Sequence, residues 1–134
     1  EWIIKQIFFE FEKKIIEIQN SKILLLGLTF KENCPDVRNS KTLDLIKILN
    51  IKNKIPYIYD PYIFDEKKIK NINFKFLKES PLLQNERYDI IIVSLAHNEF
   101  IDIEDNKWKN IMKENCIIFD LKGILPRSLN PLRI

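Results

Sequence analysis

Glycine, cysteine and histidine are scarce in this sequence, which contains two glycines, two cysteines and one histidine among its 134 residues. A glycine-rich phosphate-binding turn needs several closely spaced glycines, so a turn of that kind is not expected here. Cys34 and Cys116 lie far apart and have no histidine near them in the sequence, which argues against a zinc-type site. The two cysteines are therefore interpreted as reduced thiols in a cytoplasmic protein.

Long apolar runs and blocks of like charge are also missing. No run approaches the roughly 20 apolar residues that cross a bilayer, and residues 1–20 mix charged with bulky side chains, unlike a signal peptide. Lysine and arginine outnumber the acidic residues by 22 to 19, without a basic block interleaved with aromatic residues. Neither a membrane protein nor a nucleic-acid-binding protein is expected, whereas a mildly basic chain suits a small anionic ligand.

What the sequence does contain is the composition of one globular domain. Hydrophobic residues make up 46% and charged residues 31% of the 134 residues, which is enough chain for one sizeable core. The scarcity of glycine and a first residue, Glu1, that is not methionine favour a segment of a longer protein. N-terminal processing would explain the first residue equally well.

Apolar periodicity predicts strands that alternate with helices. The uninterrupted apolar runs in the first and fourth strands indicate burial on both faces, as in a parallel sheet covered by helices. The pattern predicts a Rossmann-like, doubly wound α/β fold, with a mainly parallel five-stranded sheet, helices on both faces and a preceding N-terminal helix. The chain from residue 122 onward is predicted to be irregular. The predicted strands are 22–28, 56–59, 73–76, 88–95 and 116–120, and the predicted helices are 2–19, 41–50, 64–71, 79–86 and 104–113.

Unusual polar residues follow the first predicted strand. Ligands of doubly wound folds bind beyond the carboxyl ends of the strands, where the chain reverses direction across the sheet. Lys31 and Arg38 lie in this loop, ahead of a predicted helix N-terminus, and together would suit a pyrophosphate. The same two side chains would instead pair with Glu32 and Asp36 in a solvated loop network. Spacing alone does not separate these two interpretations.

Four other residues near the strand ends have competing interpretations. Phe30 either packs under the loop, which is favoured, or lies against a flat ligand ring. Asp60, which precedes a proline, is interpreted as a turn residue rather than a ribose-binding acid. His97 is interpreted first as a hydrogen-bonded structural residue and second as a base, and Cys34 has no base aimed at it. No nucleophile–base pair or cluster of metal ligands is recognised.

Four segments resemble, in order and spacing, the C-terminal domain of the UDP-glucose and GDP-mannose dehydrogenase family. The first segment is most similar to the branch that oxidises UDP-N-acetylhexosamines to uronic acids for surface polysaccharides. Together the segments cover most of residues 22–125. They are GLTFKENCPDVRNSK at 27–41, IYDPYI at 58–63, YDIIIVSLAHNEF at 88–100 and IIFDLKGIL at 117–125.

The resemblance implies a place for each candidate residue. Phe30 and Lys31 match the family's Phe-Lys pair, which contacts the UDP-sugar, and Arg38 matches the arginine that reaches the NAD. Lys122 lies near a basic position that contacts substrate in some members, where the usual residue is arginine. No residue matches the family's catalytic cysteine, so Cys34 does not take that role.

The resemblance also implies a larger enzyme around this chain. Such an enzyme oxidises the sugar C6 alcohol to a carboxylate in two NAD-dependent steps, and has an NAD-binding domain, a helical dimerisation domain and this UDP-sugar-binding domain. Residues 1–20 would then end the central helical domain, and residues 21–134 would form the UDP-binding domain of a homo-oligomer, inactive in isolation. The alternative is a free-standing or degenerate nucleotide-sugar-binding module without catalytic activity.

Overall fold

The computed structural model of the protein describes residues 21–29, 31–36 and 41–133. The predicted N-terminal helix at 2–19 lies outside the described residues, as do the predicted site residues Phe30 and Arg38. The loop that follows the first strand is therefore described on both sides of residue 30 and as far as residue 36.

A six-stranded parallel sheet forms the centre of the described structure. Its strand order is β3-β2-β1-β4-β5-β6, and all five neighbouring pairs are parallel. β1 lies between β2 and β4, so the chain reverses direction across the sheet at β1, as the sequence predicts. The strands are β1 (Ile23–Leu26), β2 (Tyr57–Tyr59), β3 (Lys75–Phe76), β4 (Tyr88–Val93), β5 (Met112–Asp120) and β6 (Leu132–Arg133).

Two α-helices and four short 3₁₀ turns occur between these strands in the part of the chain that the structure describes. The helices are α1 (Lys41–Ile51) and α2 (Asp105–Lys109), and α1 confirms the predicted helix at 41–50. The predicted helices at 64–71 and 79–86 are wrong in type, because single 3₁₀ turns are found there. The predicted helix at 104–113 is too long, because β5 already begins at Met112. The turns are Glu66–Lys68, Pro81–Leu83, Asn98–Phe100 and Arg127–Leu129.

The C-terminal segment corrects the prediction of an irregular tail and of five strands. β6 extends the sheet by pairing Leu132 with Phe119 of β5. The chain reaches this position through a turn at Asn130, whose φ of 53° is one that asparagine tolerates well. Leu129 is buried just before the turn, so an apolar contact holds the segment against the domain.

The core has two layers, one on each face of the sheet. Leu24 and Leu26 of β1 face one layer, which contains Trp108 and Phe100. Leu25 faces the other layer, which contains the buried side of α1. This alternation confirms two-sided burial of the central strands, because successive side chains in a strand point to opposite faces. Each fully buried leucine contributes about 1.5–3 kcal/mol of transfer free energy. This burial stabilises β1 in the core and so fixes the point where the following loop begins.

Candidate functional site

The carboxyl ends of four strands meet at one edge of the sheet. In the strand register, Leu26 of β1 pairs with Tyr59 of β2 and with Val93 of β4, and Val93 pairs with Asp120 of β5. The loops that follow these strands therefore begin at one level. This brings three sequence-predicted positions to a common edge: Lys31 after β1, His97 after β4 and Lys122 after β5.

Asp60, the residue after β2, anchors the loop that follows β1. Its carboxylate is 1% exposed, and Oδ2 accepts hydrogen bonds from the backbone N–H groups of Leu28 at 2.7 Å and Thr29 at 3.0 Å. Oδ1 accepts from the N–H of Tyr62 at 2.8 Å, which is the turn contact that the sequence predicts. Burial raises the pKa of Asp60, but hydrogen bonds from His97 and these backbone groups outweigh it, so the pKa is lowered overall.

His97 connects Asp60 to the far side of the same loop. The ring is fully buried, and its Nδ1 accepts a 2.8 Å hydrogen bond from the backbone N–H of Asn33. Nε2 lies 3.0 Å from Asp60 Oδ2 and 3.2 Å from Thr29 Oγ1. A ring nitrogen that accepts carries no proton, so this geometry assigns the proton of a neutral imidazole to Nε2. The interpretation of His97 as a hydrogen-bonded structural residue agrees with these contacts.

Asn33 joins three of the loops at the edge, and the sequence analysis missed it. Its φ of 56° places it in the left-handed region, where asparagine is favoured among residues other than glycine. Its side-chain Oδ1 accepts from the backbone N–H of Asn98 and from the hydroxyl of Tyr62, each at 3.0 Å. The only sequence signal was an asparagine inside a polar loop, which does not identify partners in distant loops.

Lys31 precedes Glu32 in the chain, and Lys122 reaches Glu32 from the loop after β5. Lys31 is exposed and forms no ion pair with any described residue, while its backbone carbonyl accepts from Thr29 Oγ1 at 3.2 Å. Glu32 Oε2 lies 3.3 Å from Lys122 Nζ and accepts from the N–H of Ala96 at 3.2 Å. Burial raises the pKa of Glu32, but the hydrogen bond from the N–H of Ala96 and the charge of Lys122 contribute to a larger opposite effect, so the pKa is lowered overall. Glu32 thus pairs with Lys122 rather than with Lys31.

Asp120 organises the loop that carries Lys122. It is 1% exposed, and its carboxylate accepts from the N–H groups of Gly123 at 2.8 Å, Ile124 at 3.1 Å and Leu125 at 2.9 Å. The guanidinium of Arg133 in β6 lies 3.4 Å from the same carboxylate. Asp120 was not identified from the sequence, although an aspartate at the end of a buried strand and three residues before a glycine is a local turn signal.

Gly27, just after β1, does not belong to a dinucleotide-binding turn. Its φ is 99°, and a Cβ at this position would lie 2.8 Å from the Cβ of Leu95. The glycine is therefore needed for close packing of the chain against itself. Thr29 and Glu32 occupy positions where the fingerprint requires glycine. This turn does not fit the pyrophosphate of NAD, and no step of a hydride transfer is assigned to it.

Other chemistry is sparse in the described part of the chain. Both cysteines are free, and burial raises the pKa of Cys116 to about 12, so its thiol stays protonated near neutral pH. Among the described residues no cluster of ligands suits a metal ion, and no helix is long and apolar enough to cross a membrane. A cleft of about 700 Å³ opens on the β2–β3 side of the edge, where Asp60, Phe64 and Phe76 are part of its lining.

Comparisons with known proteins add a family to this geometry. Residues 24–127 match the model of the UDP-glucose/GDP-mannose dehydrogenase family, UDP binding domain. The chain is 30% identical over 133 residues to UDP-N-acetyl-D-glucosamine 6-dehydrogenase from Salmonella typhi, covering 99% of this chain and 31% of that protein. It is 30% identical over 127 residues to Protein CapL from Staphylococcus aureus, covering 93% of this chain and 28% of that protein. It spans about a third of the length of these curated relatives.

Solved structures agree with the fold. The UDP-D-ManNAc dehydrogenase from Pyrococcus horikoshii superposes with a TM-score of 0.70 at 26% identity, covering 92% of this chain and 27% of that one. A UDP-glucose dehydrogenase from Pyrobaculum islandicum superposes with a TM-score of 0.71 at 17% identity, covering 98% and 29%. The second likeness bears on the fold alone. Both support the Rossmann-like α/β architecture that the sequence predicts.

Proposed function

Because the chain belongs to the UDP-glucose/GDP-mannose dehydrogenase family and contains its UDP binding domain, we propose that it binds the UDP portion of a UDP-sugar at the carboxyl edge of its sheet. The observation that carries this proposal is the meeting of the loops of Lys31 and Lys122, linked by Glu32. Two ammonium groups at one edge of the sheet suit the charge of a diphosphate.

The assignment of individual contacts follows the family resemblance. Lys31 would contact the diphosphate, Phe30 would lie against the ligand beside it, and Lys122 would add a second positive charge. Lys31 suits its role because its side chain is exposed and has no acidic partner among the described residues. Lys122 suits its role less strongly, because Glu32 already neutralises part of its charge.

The parent protein is proposed to be a UDP-sugar 6-dehydrogenase, which oxidises the sugar C6 alcohol to a carboxylate for surface polysaccharide precursors. The support is the similarity to UDP-N-acetyl-D-glucosamine 6-dehydrogenases over nearly the whole chain. The proposal also includes NAD as the oxidant, bound mainly by another domain, with Arg38 reaching it from this chain. It assigns binding and orientation of the UDP-sugar to this chain, and the oxidation to groups outside it.

The remaining expectations about the parent belong to the same proposal. Residues 1–20 would connect a helical dimerisation domain to the domain at 21–134, and the complete enzyme would be a cytoplasmic homo-oligomer. No finding favours the alternative, a free-standing or degenerate module without activity.

Titration calorimetry of this chain with UDP tests the proposal. Wild type should bind UDP, and Lys31→Ala should weaken binding roughly ten- to a hundredfold, because a charge-assisted contact contributes roughly 1.5–3 kcal/mol. Lys47→Ala is the matched control, since Lys47 is an exposed lysine in the middle of α1, and it should bind UDP like wild type. Equal affinities for wild type and Lys31→Ala would remove Lys31 from the site.

A further inference from the structure

We propose that His97 is a positioning residue, which together with Asp60 holds the loop at residues 28–29 and at Asn33 and so presents Lys31 to the ligand. This inference rests on the proposed function, because it concerns how the UDP-binding loop is kept in place. It is a separate claim, since UDP binding through Lys31 does not by itself require any contribution from a buried imidazole.

The first support is that a single ring contacts the loop on both sides of Lys31. Nε2 lies 3.2 Å from Thr29 Oγ1, two residues before Lys31. Nδ1 accepts from the N–H of Asn33, two residues after it, at 2.8 Å. The ring of His97 therefore contacts the chain both before and after Lys31.

The second support is that these contacts agree on one protonation pattern. Asp60 Oδ2 and Thr29 Oγ1 accept from the Nε2–H, while Thr29 Oγ1 donates its own proton to the carbonyl of Lys31 at 3.2 Å. The lone pair of Nδ1 faces the N–H of Asn33. Only a neutral imidazole with its proton on Nε2 satisfies all these partners, because a proton on Nδ1 would point at another N–H.

The third support is that the ring is out of reach of a ligand. His97 is 0% exposed, and its ring packs against Tyr62 and Phe100 with centroid distances of 4.8 and 5.7 Å. A group that is fully buried cannot touch a ligand at the carboxyl edge of the sheet. Its effect on binding must pass through the loop backbone, which is why the role is one of positioning and not of catalysis.

Two substitutions separate the two contacts of the ring. His97→Asn places an amide near the position of Nδ1, where its oxygen can accept from Asn33, but it no longer reaches Asp60. His97→Gln places an amide near the position of Nε2, where its nitrogen can donate to Asp60, but it leaves the N–H of Asn33 without an acceptor. If the ring acts by holding the loop, His97→Gln should weaken UDP binding about fivefold, the equivalent of one hydrogen bond of about 1 kcal/mol. His97→Asn should stay within about twofold of wild type, because Asp60 still accepts from the N–H groups of Leu28 and Thr29 and so holds the loop before Lys31 without the ring.

Measurements on the wild-type chain keep the inference testable if either variant folds poorly. Because the sequence contains one histidine, a long-range proton–nitrogen spectrum shows a single imidazole and reports its tautomer directly. The expected result is a proton on Nε2, together with slow hydrogen exchange at the N–H of Asn33. A proton on Nδ1, or rapid exchange at that amide, overturns the inference whatever the variants do.

The outcomes also separate this inference from the proposed function. A wild-type chain that does not bind UDP overturns the proposed function, and the positioning role is lost with it. A wild type that binds UDP and a folded His97→Gln that binds equally well overturn the positioning role alone. Equal losses of affinity in both variants, in proportion to equal losses of thermal stability, indicate a general structural role and also overturn it.

Discussion

The loops after β1 and β5 are each held by a buried aspartate, but one aspartate belongs to its own loop and the other to a different one. Each follows a buried strand, each carries a lysine of the candidate site, and each depends on an aspartate that is 1% exposed and accepts three backbone N–H groups. Asp120 binds N–H groups three to five positions later in its own loop. Asp60 reaches the loop after β1 from the end of a different strand. The conformation of the loop after β5 is therefore stabilised by contacts within that loop. The conformation of the loop after β1 is stabilised only once β2 has paired with β1.

The largest expected effect comes from removing the two aspartates. Asp60→Ala should lower the free energy of unfolding by about 3–5 kcal/mol, because it leaves a fully buried imidazole and three N–H groups without their acceptor. Asp120→Ala should cost about 2–3 kcal/mol, because the N–H groups of Gly123 and Ile124 are only partly buried and water can replace the carboxylate there. Urea unfolding of both variants measures the difference. A larger loss in Asp120→Ala would contradict the comparison.

Each of these two loops also contains one of the two glycines of the sequence. Gly27→Ala should destabilise by about 2–4 kcal/mol, since its φ is 99° and the added Cβ would lie 2.8 Å from Leu95. Gly123→Ala should cost about 1 kcal/mol, since its φ is 71° but no atom lies within 4 Å of the added carbon. The measurement is again urea unfolding. Similar losses would mean that packing against Leu95 contributes little.

The two lysines extend the comparison to binding. Lys122→Ala should weaken UDP binding about three- to tenfold, less than Lys31→Ala, because the Glu32 carboxylate 3.3 Å away already offsets part of its charge. Glu32→Gln should strengthen binding through Lys122 by a few-fold, and should have no such effect in a Lys122→Ala background. Calorimetry on the two single variants and the double variant gives the coupling directly. A greater loss in Lys122→Ala than in Lys31→Ala would reverse their assigned importance.

The smallest expected effect is a pH dependence that belongs to the loop after β1. Burial raises the pKa of Asp60, but the hydrogen bonds from His97 and the backbone outweigh it and leave the pKa lowered. A lowered pKa in the folded state stabilises fully above the unfolded value of about 3.9, and this contribution is lost as the pH falls through the folded value. The difference in unfolding free energy between wild type and Asp60→Ala should therefore shrink between about pH 5 and pH 2. A constant difference would mean that the Asp60 charge contributes nothing.

The sequence predicted the central strands because their pattern is strong over a short range. The Ile-Leu-Leu-Leu and Ile-Ile-Ile-Val runs indicated β1 and β4, and with them the parallel sheet and the edge where the loops meet. The shorter elements were less accurate, because a polar segment such as 64–71 has similar local preferences in a helix and in a single 3₁₀ turn. β6 was missed because Leu132 and Arg133 form a strand only through their pairing with β5.

The candidate site shows the same division. Lys31 and Lys122 could be proposed from the sequence because charge after a strand is visible in one segment and resembles the pattern of the family. The function of Asp60 was underestimated, because its partners at 28 and 29 belong to the loop that follows another strand. Asn33 was missed for the same reason, since its value lies in contacts with Tyr62, His97 and Asn98. A contact between distant loops leaves no pattern in either loop alone.

The position of β1 at the middle of the sheet has a consequence for biosynthesis. β1 is the first strand that the structure describes, yet one of its neighbours, β4, begins only at Tyr88. A parallel pairing of this kind must close a long stretch of chain before its contacts repay the lost entropy, which slows folding. On the ribosome the leucine run of β1 therefore emerges well before β4, and its apolar side chains stay exposed and prone to aggregation during that interval.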